Sequence, residues 1–133
     1  MPKVKCRVLF IDDHEDSLEM IKLLLGEEDY EVTVAATVHE ALQLAMNQEF
    51  DLYVLDKHLP DGNGLELCAA LNQLTPGVPC IFYTGDAYEI HRREAMAAGA
   101  DAYVTKPDIE GLLENVNKLM ATRECGSASG AAH

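Results

Sequence analysis

The stretch RVLFIDDHEDSLEMIKLLLG, residues 7–26, holds one strand, one turn and one helix in direct succession. RVLFI is a short, β-rich apolar run that ends in two aspartates, Asp12 and Asp13. Beyond it Leu18, Ile21, Leu24 and Leu25 recur at helical spacing, and Gly26 is expected to stop that helix. The same alternation continues to the end of the chain. YEVTV, FDLYVLD, PCIFYT and ADAYVT read as strands, and VHEALQLAMNQ, GLELCAALNQL and YEIHRREAMAAG read as the helices between them. A last helix from about Asp108 carries Ile109, Leu112, Leu113, Val116, Leu119 and Met120 on one stripe, as a helix covering a sheet should. The strands are near-continuous apolar runs rather than alternating ones, which fits a parallel sheet covered on both faces. Five such units predict a doubly wound α/β fold.

A chain of 133 residues accommodates one compact domain of this kind and no second domain of ordinary size. Hydrophobic residues make up 48% and charged residues 25%, a balance that excludes disordered and fibrous classes. No apolar run has the length of a bilayer span, and the opening MPKVKCRVLFIDD lacks the apolar core of a signal peptide, so a cytoplasmic protein without membrane contact is expected. Lys and Arg number 10 against 23 Asp and Glu, a net charge of −13, which disfavours binding a nucleic acid backbone. Cys6, Cys68, Cys80 and Cys125 show no CxxC pair or zinc spacing and read as reduced thiols. The domain is expected over residues 1–124, with 125–133 (CGSASGAAH) as a flexible tail or a remnant.

Ligands of open α/β sheets bind beyond the C-terminal ends of the strands. Every strand except the second delivers a polar residue to that edge: Asp12 and Asp13 after the first, Asp56 after the third, Thr84 at the fourth, Lys106 after the fifth. Close carboxylates repel by about 4 kcal/mol per pair at an effective dielectric near 20, so something positive must sit among them. Oxygen-only donors favour Mg²⁺, and no His/Cys set argues for zinc. With a metal bound, Asp56 could attack a phosphoryl donor as a nucleophile. Lys106 and Thr84 would then share the charge that develops on the phosphoryl oxygens.

VLFIDD, LYVLDKHLPDGNG, IFYTGDA and YVTKP, in this order and each at a strand end, resemble the signature of the response-regulator receiver family from about Arg7 to Ala121. The resemblance implies a flavodoxin-like sheet of strand order 2-1-3-4-5 with five helices. It implies Asp56 as phosphoacceptor, Asp12, Asp13 and Asp56 as Mg²⁺ ligands, and the backbone carbonyl of His58 as a further ligand. Thr84 and Lys106 would bind the phosphoryl group, Thr84 and Tyr103 would form the switch, and the Lys106-Pro107 bond would be cis. The implied function is a two-component phosphorelay receiver, fed by a sensor histidine kinase or a histidine phosphotransfer protein and read by a downstream effector. Such a domain is not an enzyme, beyond its own phosphorylation and dephosphorylation.

Plainer roles compete at each position: an isolated Asp after a strand is commonly a helix cap, and Tyr103 could be a core aromatic. Gly62 and Gly64 are expected to shape a turn, Gly85 to keep the wall beside the acceptor low, and Asp16 to favour the helix dipole. A second metal site at His14 and Asp16 is disfavoured, and His39, His91 and His133 read as surface residues. The departures from the family pattern are Lys57, where aliphatic residues are common, with His58 and Asp86 at two variable positions over the phosphoryl group. These three are candidate tuning residues, and a His58–Asp86 pair across the mouth is expected. Two other readings are a degenerate receiver serving as an interaction scaffold and an aspartate-nucleophile phosphatase of the haloacid-dehalogenase type. The phosphatase pattern wants an Asp where His58 stands.

Overall fold

The computed structural model describes residues 5–123 and Cys125. Five strands form one sheet: β1 (Arg7–Ile11), β2 (Glu31–Ala35), β3 (Leu52–Leu55), β4 (Cys80–Thr84) and β5 (Ala102–Thr105). All neighbours are parallel, in the order β2-β1-β3-β4-β5. The doubly wound sheet read from the sequence, and the 2-1-3-4-5 order that the family resemblance implies, are therefore the observed ones. The helices are α1 (Glu15–Glu27), α2 (Val38–Asn47), α3 (Gly64–Leu74), α4 (Glu89–Ala97) and α5 (Ile109–Ala121). A short antiparallel ladder, His58–Leu59 with Gly62–Asn63, lies between β3 and α3.

Alternate side chains of each strand feed two cores, one per sheet face. Val8, Phe10, Val54, Ile81 and Tyr83 pack with Ile21 and Leu25 of α1 and Leu112 and Val116 of α5. Leu9, Ile11, Leu55, Phe82 and Tyr103 pack with Ala41 of α2, Leu67 and Leu71 of α3, and Ala95 of α4. Burial of Val8–Ile11 in β1 and of all of β3 and β4 is why these runs are apolar without alternation.

The starts of α2, α3 and α5 are capped by side chains, whereas those of α1 and α4 are not. Thr37 accepts from the Glu40 backbone N–H at 3.0 Å, while the Glu40 carboxylate reaches back past the cap to accept from Ala36 N–H at 2.7 Å at the head of α2. Asp61 accepts from Val38 and His39 N–H at 2.8 and 3.0 Å, and these bonds hold its carboxyl below the usual range. Asn63 caps α3 by accepting from Glu66 N–H at 2.9 Å.

Two expectations are corrected. Gly26 does not itself stop α1; the helix continues one residue further, to Glu27, and the left-handed residue that turns the chain is Asp29 at φ 71°. Cys6 and Cys125 are not both free thiols but form a disulfide, since the end of α5 returns to the start of β1 and leaves their Cα atoms 4.8 Å apart. Cys68 and Cys80 are free and buried, and contact between the two thiols together with burial pushes that of Cys80 strongly up. Cys125 lies against the domain, and residues 126–133 of the expected tail lie outside the described residues.

Candidate functional site

Register brings the strand-end residues together. Ile11 pairs with Leu55, so Asp12 and Asp56 leave the sheet side by side, and Asp56 N–H donates to the Ile11 carbonyl at 3.0 Å. Thr84 pairs with Thr105, and Lys106 N–H donates to the Thr84 carbonyl at 2.7 Å, so the lysine emerges beside the threonine. The Lys106-Pro107 peptide is cis. Asp12 and Thr84 are fully covered, and Asp56 is 4% exposed. An open cleft of about 920 Å³ lies above them, lined in part by Asp56, His58, Thr84, Asp86 and Lys106.

Electrostatics organises the floor of this cleft. The Lys106 ammonium bridges Asp12 Oδ2 at 2.6 Å and Asp56 Oδ2 at 3.2 Å. Burial works against the charge on Lys106, but its bond to Asp12 and the attraction of Asp56 prevail, so its pKa is raised. Carboxylate oxygens of Asp12, Asp13 and Asp56 and a ring nitrogen of His14 all lie within 4.8 Å of one another. Three carboxylates against one ammonium leave two negative charges, and the oxygen-rich donor set suits a hard divalent cation such as Mg²⁺. The residues present therefore fit that ion.

His14 was not among the expected members of this group. Its Nδ1 sits 2.8 Å from Asp12 Oδ1 and 3.3 Å from Asp13 Oδ1, and the hydrogen bond to Asp12 raises its pKa above 6.5. The only sequence signal was its place at the N-cap of α1, directly after the acidic pair. Glu15 and Asp16 occupy the first turn of that helix, as the dipole favours.

The expected His58–Asp86 pair does not form. His58 is exposed in the short ladder, and Asp86 is taken up elsewhere. Its Oδ2 contacts Lys57 Nζ at 3.3 Å and His91 Nδ1 at 2.5 Å, and its Oδ1 accepts from Tyr88 N–H at 3.1 Å. The first turn of α4 carries His91 over the carboxylate, so His91 is not a free surface residue. Burial would raise the Asp86 pKa, but the bonds from Tyr88 N–H, Lys57 and His91 outweigh it and the pKa is lowered. Lys57 itself is only 7% exposed. Tyr103 is buried, stacks on Phe82 with ring centroids 6.1 Å apart, and donates its hydroxyl to the Asp86 carbonyl at 2.5 Å. Burial first, then the charges of Asp86 and Asp56, push its phenol up to about 12. Gly64 does more than shape a turn: a Cβ there would strike the Asp56 carbonyl oxygen and come within 3.0 Å of Lys57 Cα. At Gly85 a Cβ would meet nothing within 4 Å, so the wall there is low as expected.

The family model described as response regulator receiver domain matches residues 8–117. The chain belongs to this family. Response regulator ArlR of Staphylococcus epidermidis is 33% identical over 114 residues, which is 85% of this chain and 52% of ArlR. This receiver domain thus spans about half the length of that relative. Among solved structures, the non-phosphorylated HemR receiver domain from Leptospira biflexa aligns with a TM-score of 0.83 at 32% identity, over 90% of this chain and 97% of that one. A CheY-like receiver domain protein from Methanospirillum hungatei aligns with a TM-score of 0.82 at 39% identity, over 88% and 95%. Receiver domains are two-component signalling modules, and phosphorylation and Mg²⁺ binding through acidic residues are general to the family. No helix among the described residues is long and apolar enough to cross a membrane.

Proposed function

We propose that this receiver domain accepts a phosphoryl group on Asp56 in a Mg²⁺-dependent reaction and changes a protein-binding surface in response. The observation that carries the reading is the Lys106 ammonium set between Asp12 and Asp56 beneath an open cleft, with Thr84 at its wall. The ion would be held by Asp12, Asp13, Asp56 and the His58 backbone carbonyl, and would supply charge neutralisation for an anionic donor approaching a carboxylate.

The remaining work falls to the chain. A carboxylate oxygen of Asp56 attacks phosphorus as the phosphorus–nitrogen bond of a donor phosphohistidine breaks, and the released imidazole keeps that electron pair and takes a proton from solvent. Asp56 Oδ1 accepts from Lys57 N–H at 2.7 Å, which fixes the carboxylate plane before reaction. Lys106 and the Thr84 hydroxyl then bind the transferred oxygens. The donor is a sensor histidine kinase or a histidine phosphotransfer protein, and the reader is a protein effector, since a net charge of −13 opposes nucleic acid. The domain turns over no separate substrate.

Intact mass after incubation with a small phosphodonor and Mg²⁺ tests this. One phosphate adduct on the natural chain and none on Asp56→Asn is expected. No adduct on either would leave the interaction scaffold as the better reading.

A further inference from the structure

Asp86 is a carboxylate in the wall of a cleft that must admit an anion. Left bare, it would oppose every phosphodonor that approached Asp56. It is not bare. Its two oxygens are engaged by Lys57, His91 and Tyr88 N–H, and the side chains of both Lys57 and Asp86 are close to fully covered, 9% and 11% exposed. Glu94 on α4 adds a weaker contact to Lys57 at 3.9 Å from an exposed position. Lys57 is also the residue whose backbone meets the acceptor: its N–H bonds Asp56 Oδ1, and its carbonyl accepts from Gly64 N–H at 2.6 Å. The lysine stem is therefore anchored at its root and its charge is delivered to one place.

We propose that Lys57 is a positioning residue for phosphoryl transfer, which neutralises and holds Asp86 so that the cleft wall beside Asp56 does not repel the donor. The proposal rests on Asp56 being the phosphoacceptor. Lys57 acts through Asp86 and touches neither donor nor phosphoryl group. A wall charge acts on the donor by Coulomb's law, so its effect on the logarithm of the rate scales with donor charge. A dianionic donor should lose twice as much, on that scale, as a monoanionic one. A purely structural role for Lys57 would slow both alike.

The test uses the full chain with Mg²⁺ and measures adduct formation from acetyl phosphate, a dianion near neutral pH, and from phosphoramidate, largely a monoanion there. Lys57→Met keeps most of the stem and removes the charge. It should slow reaction about tenfold with acetyl phosphate and about threefold with phosphoramidate. Lys57→Arg should retain most of the rate, and adding Asp86→Asn to Lys57→Met should restore it by removing the exposed charge. Because the double variant lacks the ion pair, its recovery cannot come from refolding that pair. Equal slowing with both donors, unchanged rates in Lys57→Met, or no recovery in the double variant overturns the proposal. If the natural chain takes no phosphate, the acceptor reading falls first and this inference with it, whereas normal phosphorylation with charge-independent rates sinks this inference alone.

Discussion

At the scale of single residues, Tyr103 joins the buried core to the cleft. Its ring is covered, while its hydroxyl reaches the carbonyl of Asp86, the residue whose carboxylate holds Lys57 and α4. Tyr103→Phe keeps the packing and removes one hydrogen bond, so a loss of about 1 kcal/mol in urea unfolding at neutral pH is expected. The pH dependence has a definite sign. The folded phenol titrates at about 12 and the unfolded one near 10.0, so the unfolded chain deprotonates first as pH rises. Tyr103 therefore stabilises the fold fully below the unfolded value and loses that contribution through the interval above it. Urea midpoints at about pH 9 and about pH 11 should fall further for the natural chain than for Tyr103→Phe. Equal falls would show that the phenol is not held in this way. Asp12, Asp13, Asp56, Thr84 and Lys106 were legible in the sequence because each stands at a strand end, and parallel register alone sets them on one edge. The partners of Asp86 were not, because the rotation of α4 decides which of its side chains overlies the loop.

Among the elements, the strands were easy to read, since coverage on both faces leaves an apolar run with sharp ends. Helix ends were read well where a side chain caps them, as Asn63 does before α3. Glycine is weaker punctuation: α1 continues through Gly26 and ends one residue later, at Glu27. The glycine that matters is Gly64, at the head of α3. Its backbone N–H bonds the Lys57 carbonyl, and its missing Cβ lets the helix start against the acceptor's own carbonyl. The obstacles are backbone atoms and a ring edge of Phe82, none of them the free end of a flexible side chain. Gly64→Ala should therefore cost about 2 kcal/mol, in the range for overpacking a tight site, by urea denaturation. It should also slow phosphorylation of Asp56, because the displaced backbone carries Lys57 N–H away from Oδ1. Gly85→Ala, facing open space, serves as the control for stability and should leave the urea midpoint nearly unchanged.

Over the whole molecule, the two edges of the sheet hold different devices. The cleft occupies the C-terminal edge of the strands. At the opposite edge, buried Asp51 accepts from Arg7 N–H at 2.8 Å and from Arg123 Nε at 3.2 Å, tying the end of α5 to the start of β1. The Cys6–Cys125 disulfide lies beside this ion pair and closes a loop with a sequence separation of 119. Cysteines so far apart in the chain gave no spacing signal, and only the return of α5 to β1 brings them together. A cross-link over so long a loop restricts the unfolded chain strongly, by up to about 4–5 kcal/mol on the loop-entropy argument. A reductant should add two hydrogens to the intact mass and lower the urea midpoint. Cys125→Ser should show the lower midpoint without reductant and respond to it no further. The ion pair at Asp51 persists in either case, so α5 should remain docked and the fold intact. Because the clamp and the cleft lie at opposite edges of a rigid sheet, the rate of adduct formation on Asp56 should be the same with and without reductant. A rate that changed with the state of the disulfide would mean that the two edges are coupled through α5 and β5, and that the sheet is not the rigid spacer that the burial of its central strands implies.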